Sequence, residues 1–358
     1  MSVQNEDIAT LVVGWQASHG RNHLPWQNTR DPYRVWLSEV MLQQTQVATV
    51  LDYYARFLAR FPDVRALAEA PQDDVLALWA GLGYYSRARN LHACAKQVME
   101  RHGGAFPRTV DELSALPGIG RSTAGAIASF CFGVRAPILD ANVRRVLTRV
   151  LGFDADLAVA KNERQLWAQA EALLPTQNLA TSMPRYTQGL MDLGASICSP
   201  RKPACIVCPL SAACVARADG NPEDYPVRTR KLSRSSQAWW LLLLRDAGGR
   251  LWLERRPQAG IWAGLYCPPA FDDRAALSGA VGACTDDDRA LHDLPASLHV
   301  LTHRDLHLHP VLVAQEDLSG RIAGEGEGTG RGWFDRAQWQ ALGLPAPIRK
   351  MLEALPPA

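Results

Sequence analysis

The sequence predicts a multidomain chain, an all-α first part followed by an α+β tail, and three observations carry that expectation. From Leu11 to Leu232 apolar residues recur at helical spacing between Pro and Gly stops, with no stretch alternating as a strand. Within that run, Thr109 to Phe132 reads as two helices around a tight Pro-Gly turn. After residue 236 the period changes: Trp239 to Leu244, a Gly248-Gly249 turn and Arg250 to Leu253 make a β-hairpin, and Leu298 to Val313 alternates like further strands.

Helices are expected near 8–18, 32–49, 51–60, 63–69, 72–79, 87–102, 122–132, 141–151 and 161–174. Asn221 to Ser236 is polar, holds two Pro and the charges Arg228, Arg230, Lys231 and Arg234, and reads as a linker. The domains are therefore drawn as 1–220, a linker 221–236 and 237–358, with Gly324 to Gly332 as a mobile loop in the last. The 358 residues suffice for two or three real cores. Met1 to Thr10 lacks an apolar core, so no signal peptide is expected, and the run Ala238 to Leu244 is too short to span a bilayer. A soluble cytoplasmic protein with no membrane association is expected, and a monomer.

Net charge is only +2, but residues 1–232 carry 25 basic against 21 acidic side chains while the remainder carries 13 against 15. The excess is concentrated: Leu113 to Leu151 holds five Arg and one acid, Asp140. Thr109 with Glu112 reads as a capping box, and Pro117, Gly118 and Gly120 force the turn before a second, Ala-rich helix begins near Ser122 (the hairpin spans 113–132). Glycines there let backbone amides approach an anion, and the following helix start adds N–H groups and a positive dipole end, so the turn suits a phosphate. The plainer reading is an ordinary helix pair followed by an Asp cap.

Eight Cys in such a chain suggest metal binding before disulfides. Cys198, Cys205, Cys208 and Cys214 are separated by six, two and five residues in one loop (198–214) stiffened by Pro200, Pro203 and Pro209. Structural zinc favours two close pairs on separate knuckles; a single compact loop suits one [4Fe-4S] cluster. Arg201 and Lys202 in the loop would let it touch DNA. Cys94, Cys131, Cys267 and Cys284 lack such spacing and read as core residues.

Asp31 and Pro32 open a helix in which Glu39 has Val35, Trp36 and Leu42 as neighbours at helical spacing, so desolvation should raise its pKa. Asp140, at a helix start beside Arg144 and Arg145, should stay ionised. Two carboxylates with pKa values pushed apart make a proton donor and an anionic partner. Taken singly, Glu39 also reads as a salt-bridge or groove residue.

With these residues in place, the chain resembles a known family. Leu24-Pro25-Trp26, Ser38 to Gln46, Gly81-Leu82-Gly83-Tyr84-Tyr85, Pro137-Ile138-Leu139-Asp140 and the four-Cys spacing are similar to the MutY-type adenine DNA glycosylases of the helix-hairpin-helix, iron-sulfur superfamily. The resemblance implies a helix-hairpin-helix glycosylase domain with an iron-sulfur loop, then an α+β Nudix-like domain. It also implies a monofunctional base-excision repair enzyme that flips out adenine paired with 8-oxoguanine or guanine in double-stranded DNA and is nucleoid-associated through that DNA. Glu39 would protonate the adenine and Asp140 support the sugar cation, as acid-assisted glycosidic cleavage requires. Gln43 and Tyr84 match family residues that wedge into the stack, Trp26 and Gln188 match residues lining the adenine pocket, with Trp26 reading equally as core, and Asn142 matches a residue close to the catalytic Asp. Gly118, Gly120 and Ser122 form the DNA-contacting turn. Ser122 stands where the endonuclease III branch has a Schiff-base Lys, and a hydroxyl cannot do that chemistry. Ala141 departs from the family's Gly.

The tail resembles the Nudix-like domain that reads 8-oxoguanine. Leu298 to His303 is similar to a strand and turn ending in Ser-His, so Thr302 and His303 are the expected readers. Asp286-Asp287-Asp288 replaces the Glu-rich magnesium helix of a working Nudix hydrolase, so binding without hydrolysis is expected. Two alternatives remain: a bifunctional glycosylase with AP lyase activity on oxidised bases, and an iron-sulfur DNA-binding redox sensor without catalysis.

Overall fold

The computed structural model describes residues 5–229, 233–282, 291–314 and 330–355. Asp286-Asp287-Asp288, Cys284, Arg230, Lys231 and the Gly324–Gly332 loop up to residue 329 lie outside the described residues. The chain forms two compact units, one of Met1–Glu69 with Ala93–Lys231, the other of Ala70–His92 with Leu232–Ala358.

The first unit is helical. Its elements are α1 (Asn5–His19), α2 (Pro32–Leu42), α3 (Val47–Arg60) and α4 (Val64–Glu69), then, beyond α5 (Gln72–Trp79) and the first turns of α6 (Ser86–His102), α7 (Val110–Ser114), α8 (Arg121–Phe132), α9 (Ala141–Leu151), α10 (Ala160–Ala172), α11 (Leu179–Ser196) and α12 (Val215–Ala218). Ile8 and Val12 of α1, Val143, Val146, Leu147 and Val150 of α9, Leu166 of α10, and Met183, Leu190 and Leu193 of α11 share one apolar core. Packing is close where glycine permits it: a Cβ on Gly194 would stand 2.6 Å from Asn142 Cβ, and one on Gly125 would stand 2.5 Å from the Pro137 carbonyl. Those two positions let α11 and the segment before α9 approach their neighbours at backbone distance.

Two expectations are corrected here. The helix expected over 32–49 ends at Leu42, and a new one begins at Val47. Val50, Tyr54 and Phe57 continue the stripe of Trp36 and Val40, so periodicity alone runs through the break. Between them Gln44 turns left-handed, at φ 57°, and the Thr45 hydroxyl donates to the Gln43 carbonyl at 3.3 Å, replacing a helical bond. The second correction is α11, which was not expected at all. Pro184 lies inside it, and the Ala180 carbonyl that Pro184 cannot bond accepts instead from Arg30 Nη2 at 3.0 Å.

The second unit holds a mixed sheet, eight-stranded among the described residues. It comprises β1 (Ser235–Arg245), β2 (Leu251–Arg255), β3 (Tyr266–Cys267), β4 (Ala270–Phe271), β5 (His292–Asp293), β6 (Ser297–Val300), β7 (Arg304–Ala314) and β8 (Arg331–Phe334). The expected β1–β2 hairpin is present, its turn closed by Asp246, which accepts from the Gly248 and Arg250 amides at 3.0 and 2.7 Å. Unforeseen is the parallel pairing of β1 with β7 from Ser235↔Arg304 to Arg245↔Ala314. Helix α13 (Arg274–Gly282) covers Leu242, Leu244, Val311 and Val313, and α14 (Arg336–Gln340) and α15 (Ala346–Glu353) follow the sheet.

Candidate active site

Asp31 caps α2, accepting from the Tyr33 amide at 3.0 Å, with Pro32 in the first turn. That start sets the phase of the helix and places Val35, Ser38 and Glu39 on one wall of a cavity of about 280 Å³, which Trp26, Gln27, Phe130 and Gln188 also line. Such a volume lies just below the range of small-molecule sites, which begin at about 300 Å³. Trp26 is held by an edge-to-face contact with Tyr54, centroids 5.3 Å apart. Gln188 donates through Nε2 to Asp192 Oδ1 at 2.9 Å; that buried carboxylate also accepts from Arg21 Nε at 2.7 Å and from the Arg21 amide at 3.0 Å. A carboxylate partner fixes which way the Gln188 amide faces, leaving its oxygen as the acceptor.

Asp140 is the N-cap of α9 and accepts from the Val143 amide at 2.8 Å. Ser122, near the start of α8, accepts from the Leu139 amide at 3.1 Å, tying the hairpin to the residue before Asp140. Behind it Arg145 donates to Asn142 Oδ1, the Gly194 carbonyl and the Cys198 carbonyl at 2.9, 2.6 and 2.7 Å. Asn142 is thereby spent on Arg145.

Burial pushes the Glu39 carboxyl up to about 8, and the charge of Asp140 adds to the rise. Burial raises the Asp140 carboxyl too, against hydrogen bonds from Val143 and Asn142 and the charges of Arg145 and Arg144. The Glu39 carboxyl meets no such opposing influence.

In the hairpin, Thr109 caps α7 by accepting from the Glu112 amide at 3.3 Å, while its hydroxyl donates to Glu112 Oε2 at 2.6 Å. Gly118 is left-handed, at φ 76°. Gly120 caps α8 with no side-chain bond, and a Cβ there would meet nothing within 4 Å. Protein packing therefore does not require the glycine, and the space beside it is open. Arg121 at the start of α8 lies over the Trp167 ring at 4.0 Å.

Cys198, Cys205, Cys208 and Cys214 line one further cavity with Val146, Leu193 and Leu210. Among the described residues no group of three or more His, Cys, Asp or Glu converges closely enough to hold a single metal ion. The four thiols share the lining of that one space. Burial pushes Cys208 up to about 11, with the other cysteines adding to the rise, and raises Cys214 as well. Arg149 Nη1 donates to Cys198 Sγ at 3.3 Å and to the Ser199 carbonyl at 2.7 Å, bracing the loop from α9.

In the second unit, Tyr84, Thr302 and His303 border one cavity with Trp262 and His299, and the Tyr84 hydroxyl is hydrogen-bonded to the Thr302 hydroxyl. Tyr84 sits in a left-handed conformation, at φ 47°, after Gly81 and Gly83, which are also at positive φ. Arg87 Nη2 donates to the Leu82 and Gly83 carbonyls, each at 3.1 Å. Gln43, at the end of α2, lines neither of the cavities that hold Glu39 and Tyr84. Gln27, Asp192 and Arg87 were missed in the sequence. Gln27 and Arg87 lie inside or beside the quoted runs, so adjacency could have flagged them; Asp192 had only its place one turn after Gln188.

Residues 37–172 match the HhH-GPD superfamily of base excision DNA repair proteins, and residues 240–354 match the NUDIX domain. The class is thus a helix-hairpin-helix base excision repair fold carrying a Nudix-like domain. An adenine DNA glycosylase of Buchnera aphidicola from Acyrthosiphon pisum is 35% identical over 346 residues, 97% of each chain. The human adenine DNA glycosylase is 43% identical over 215 residues, 58% of this chain and 38% of its own. Among solved structures, a thermostable thymine-DNA glycosylase aligns with TM-score 0.53 and 28% identity over 60% of this chain and 97% of that one. The chain belongs to the adenine DNA glycosylase family. Among the described residues no helix is long and apolar enough to cross a membrane.

Proposed function

We propose that this protein removes adenine paired with 8-oxoguanine or guanine from double-stranded DNA, acting as a monofunctional glycosylase in base excision repair. The observation that carries the reading is the Glu39 carboxyl, raised to about 8 by burial and by the charge of Asp140 in a cavity it shares with Trp26 and Gln188. A base inside a duplex is out of reach of any side chain, so the adenine must be extruded into that cavity. Trp26 offers it an apolar face and the Gln188 oxygen accepts from its exocyclic amine. Glu39 gives a proton to a ring nitrogen, the C1′–N9 bond breaks with its electron pair passing to the base, and Asp140 stabilises the sugar cation. Water then adds to C1′ and returns a proton to Glu39.

Ser122 has no amine for a Schiff base, which argues against a lyase step. Gly118, Gly120 and the N–H groups opening α8 hold a backbone phosphate, Gln43 and Tyr84 enter the stack, and Asn142 steadies Arg145 behind Asp140. In this reading residues 1–220 excise, 221–236 link and 237–358 recognise damage, and the protein works as a monomer on DNA in the cytoplasm. One duplex with adenine opposite 8-oxoguanine tests it. Strand cleavage only after alkali supports the reading, cleavage without alkali gives the lyase, and an intact strand gives the non-catalytic sensor.

Cys198, Cys205, Cys208 and Cys214 would hold one [4Fe-4S] cluster, which when bound cross-links the loop. Cys205→Ser or Cys208→Ser is expected to yield colourless, poorly soluble protein that binds DNA weakly. Iron and sulfide assays on anaerobically purified wild type check this, and one zinc with no iron refutes it.

Thr302 and His303 are proposed to read the C8 carbonyl and N7–H of 8-oxoguanine by hydrogen bonds. Thr302→Ala with His303→Ala is expected to cost on the order of 1 to 3 kcal/mol of preference for 8-oxoguanine over guanine, with the chemical step changed much less. Single-turnover competition between the two duplexes measures it; an unchanged preference places damage reading elsewhere.

A further inference from the structure

Tyr84 is 43% exposed, yet its backbone conformation is one that residues with side chains rarely adopt. Something must hold it there. The loop before it turns through Gly81 and Gly83, which leaves the Leu82 and Gly83 carbonyls facing inward without helix or strand partners. Arg87, only 8% exposed, takes both carbonyls with one terminal nitrogen, and Trp79 Nε1 adds a second bond to the Gly83 carbonyl at 3.1 Å. The same guanidinium lies over the Trp79 ring at 5.2 Å and over the Tyr84 ring at 5.6 Å. These contacts converge on the loop that presents Tyr84.

We propose that Arg87 is a positioning residue that sets the Tyr84 ring for insertion into the DNA stack, fixing the loop through its carbonyls and the ring through its flat cationic face. This rests on the reading of Tyr84 as an inserted aromatic. A Lys carries the same charge but has neither a planar fork nor a stacking face, so it cannot substitute. Arg87 is not among the residues lining the Glu39 cavity, and its effect passes through Tyr84.

A double-mutant cycle on the full-length protein tests this, with Tyr84→Ala, Arg87→Met and the pair compared on adenine opposite 8-oxoguanine and opposite guanine. The second readout is fluorescence of a 2-aminopurine placed beside the mispaired purine, which brightens when a ring opens the stack. Arg87→Met is expected to lower the preference for 8-oxoguanine by about tenfold and to dim the fluorescence response, while adding it to Tyr84→Ala changes either by less than about twofold. Arg87→Lys is expected to behave as Arg87→Met does. If Arg87→Met does not fold, judged by near-UV circular dichroism, Arg87→Gln takes its place in the cycle. Tyr84→Ala with a clear loss, joined to an Arg87 effect that is absent or multiplies with it, overturns the role of Arg87 and leaves the inserted-aromatic reading standing. A silent Tyr84→Ala overturns that reading and this inference with it.

Discussion

Glu39→Gln is expected to abolish adenine release while leaving affinity for the mispaired duplex nearly unchanged. The amide preserves the shape of the wall that Val35, Ser38 and Glu39 build, and it cannot supply a proton. General acid catalysis is typically worth about a hundred-fold to ten-thousand-fold, and the same group also takes up the proton of the attacking water. A variant within about threefold of the wild-type single-turnover rate would remove Glu39 from that role. The pH dependence follows from the same carboxyl. Because the protonated form is the acid, kcat/KM of the wild type should fall as pH rises through about 8. Stability carries a matching signature. A folded pKa raised from 4.5 to about 8 contributes stability in full below pH 4.5 and loses it as pH climbs to about 8. Glu39→Gln has no such loss, so its Tm should gain on that of the wild type between those limits and keep the gain above them. Parallel melting scans at pH 5 and pH 8.5 check this.

Asp140→Asn is expected to be nearly as inactive, for a different reason. Asn caps a helix as well as Asp does, so the bond from the Val143 amide and the start of α9 should persist. What disappears is the negative charge that the proposed mechanism sets against the sugar cation, and removing one such electrostatic stabiliser costs on the order of a hundred-fold to a thousand-fold in rate. Asp140 also raises the Glu39 pKa, so in the variant the residual activity should fall off at lower pH than in the wild type. A residual profile with the wild-type midpoint would mean that the two carboxyls do not share a site.

The parts of this molecule that were legible in the sequence are those governed by neighbours along the chain. Asp31-Pro32, Thr109 with Glu112, and Asp140 before α9 all act as helix starts, because a cap needs only residues two or three places away. The rest depends on partners far off. Nothing near Pro184 announces that Arg30 will satisfy the Ala180 carbonyl, and so α11, which brings Gln188 to the cavity, stayed hidden. The turn at Gln44 was masked by an apolar stripe that continues across it. Strand β1 reads the same whether its long neighbour runs parallel or antiparallel, and its register with β7 spans about seventy residues of chain. The rise in the Asp140 pKa was missed because its caps and arginines are visible in sequence whereas its burial is not.

Ala70–His92 shares a compact unit with residues that follow it by more than 140 positions. Tyr84 is bonded to Thr302, the Tyr85 hydroxyl donates to the Leu344 carbonyl at 3.1 Å, Arg89 donates to the Ala263 carbonyl at 2.7 Å, and Asp73 pairs with Arg255. A chain cut short after Ser233 therefore loses more than a recognition module: it strands a segment whose tertiary partners have been removed. Poor mismatch selectivity in such a fragment would not by itself identify the missing reader, since the aromatic side chain left behind has lost its support as well. Point substitutions that leave those anchors in place are the instrument that can separate the two.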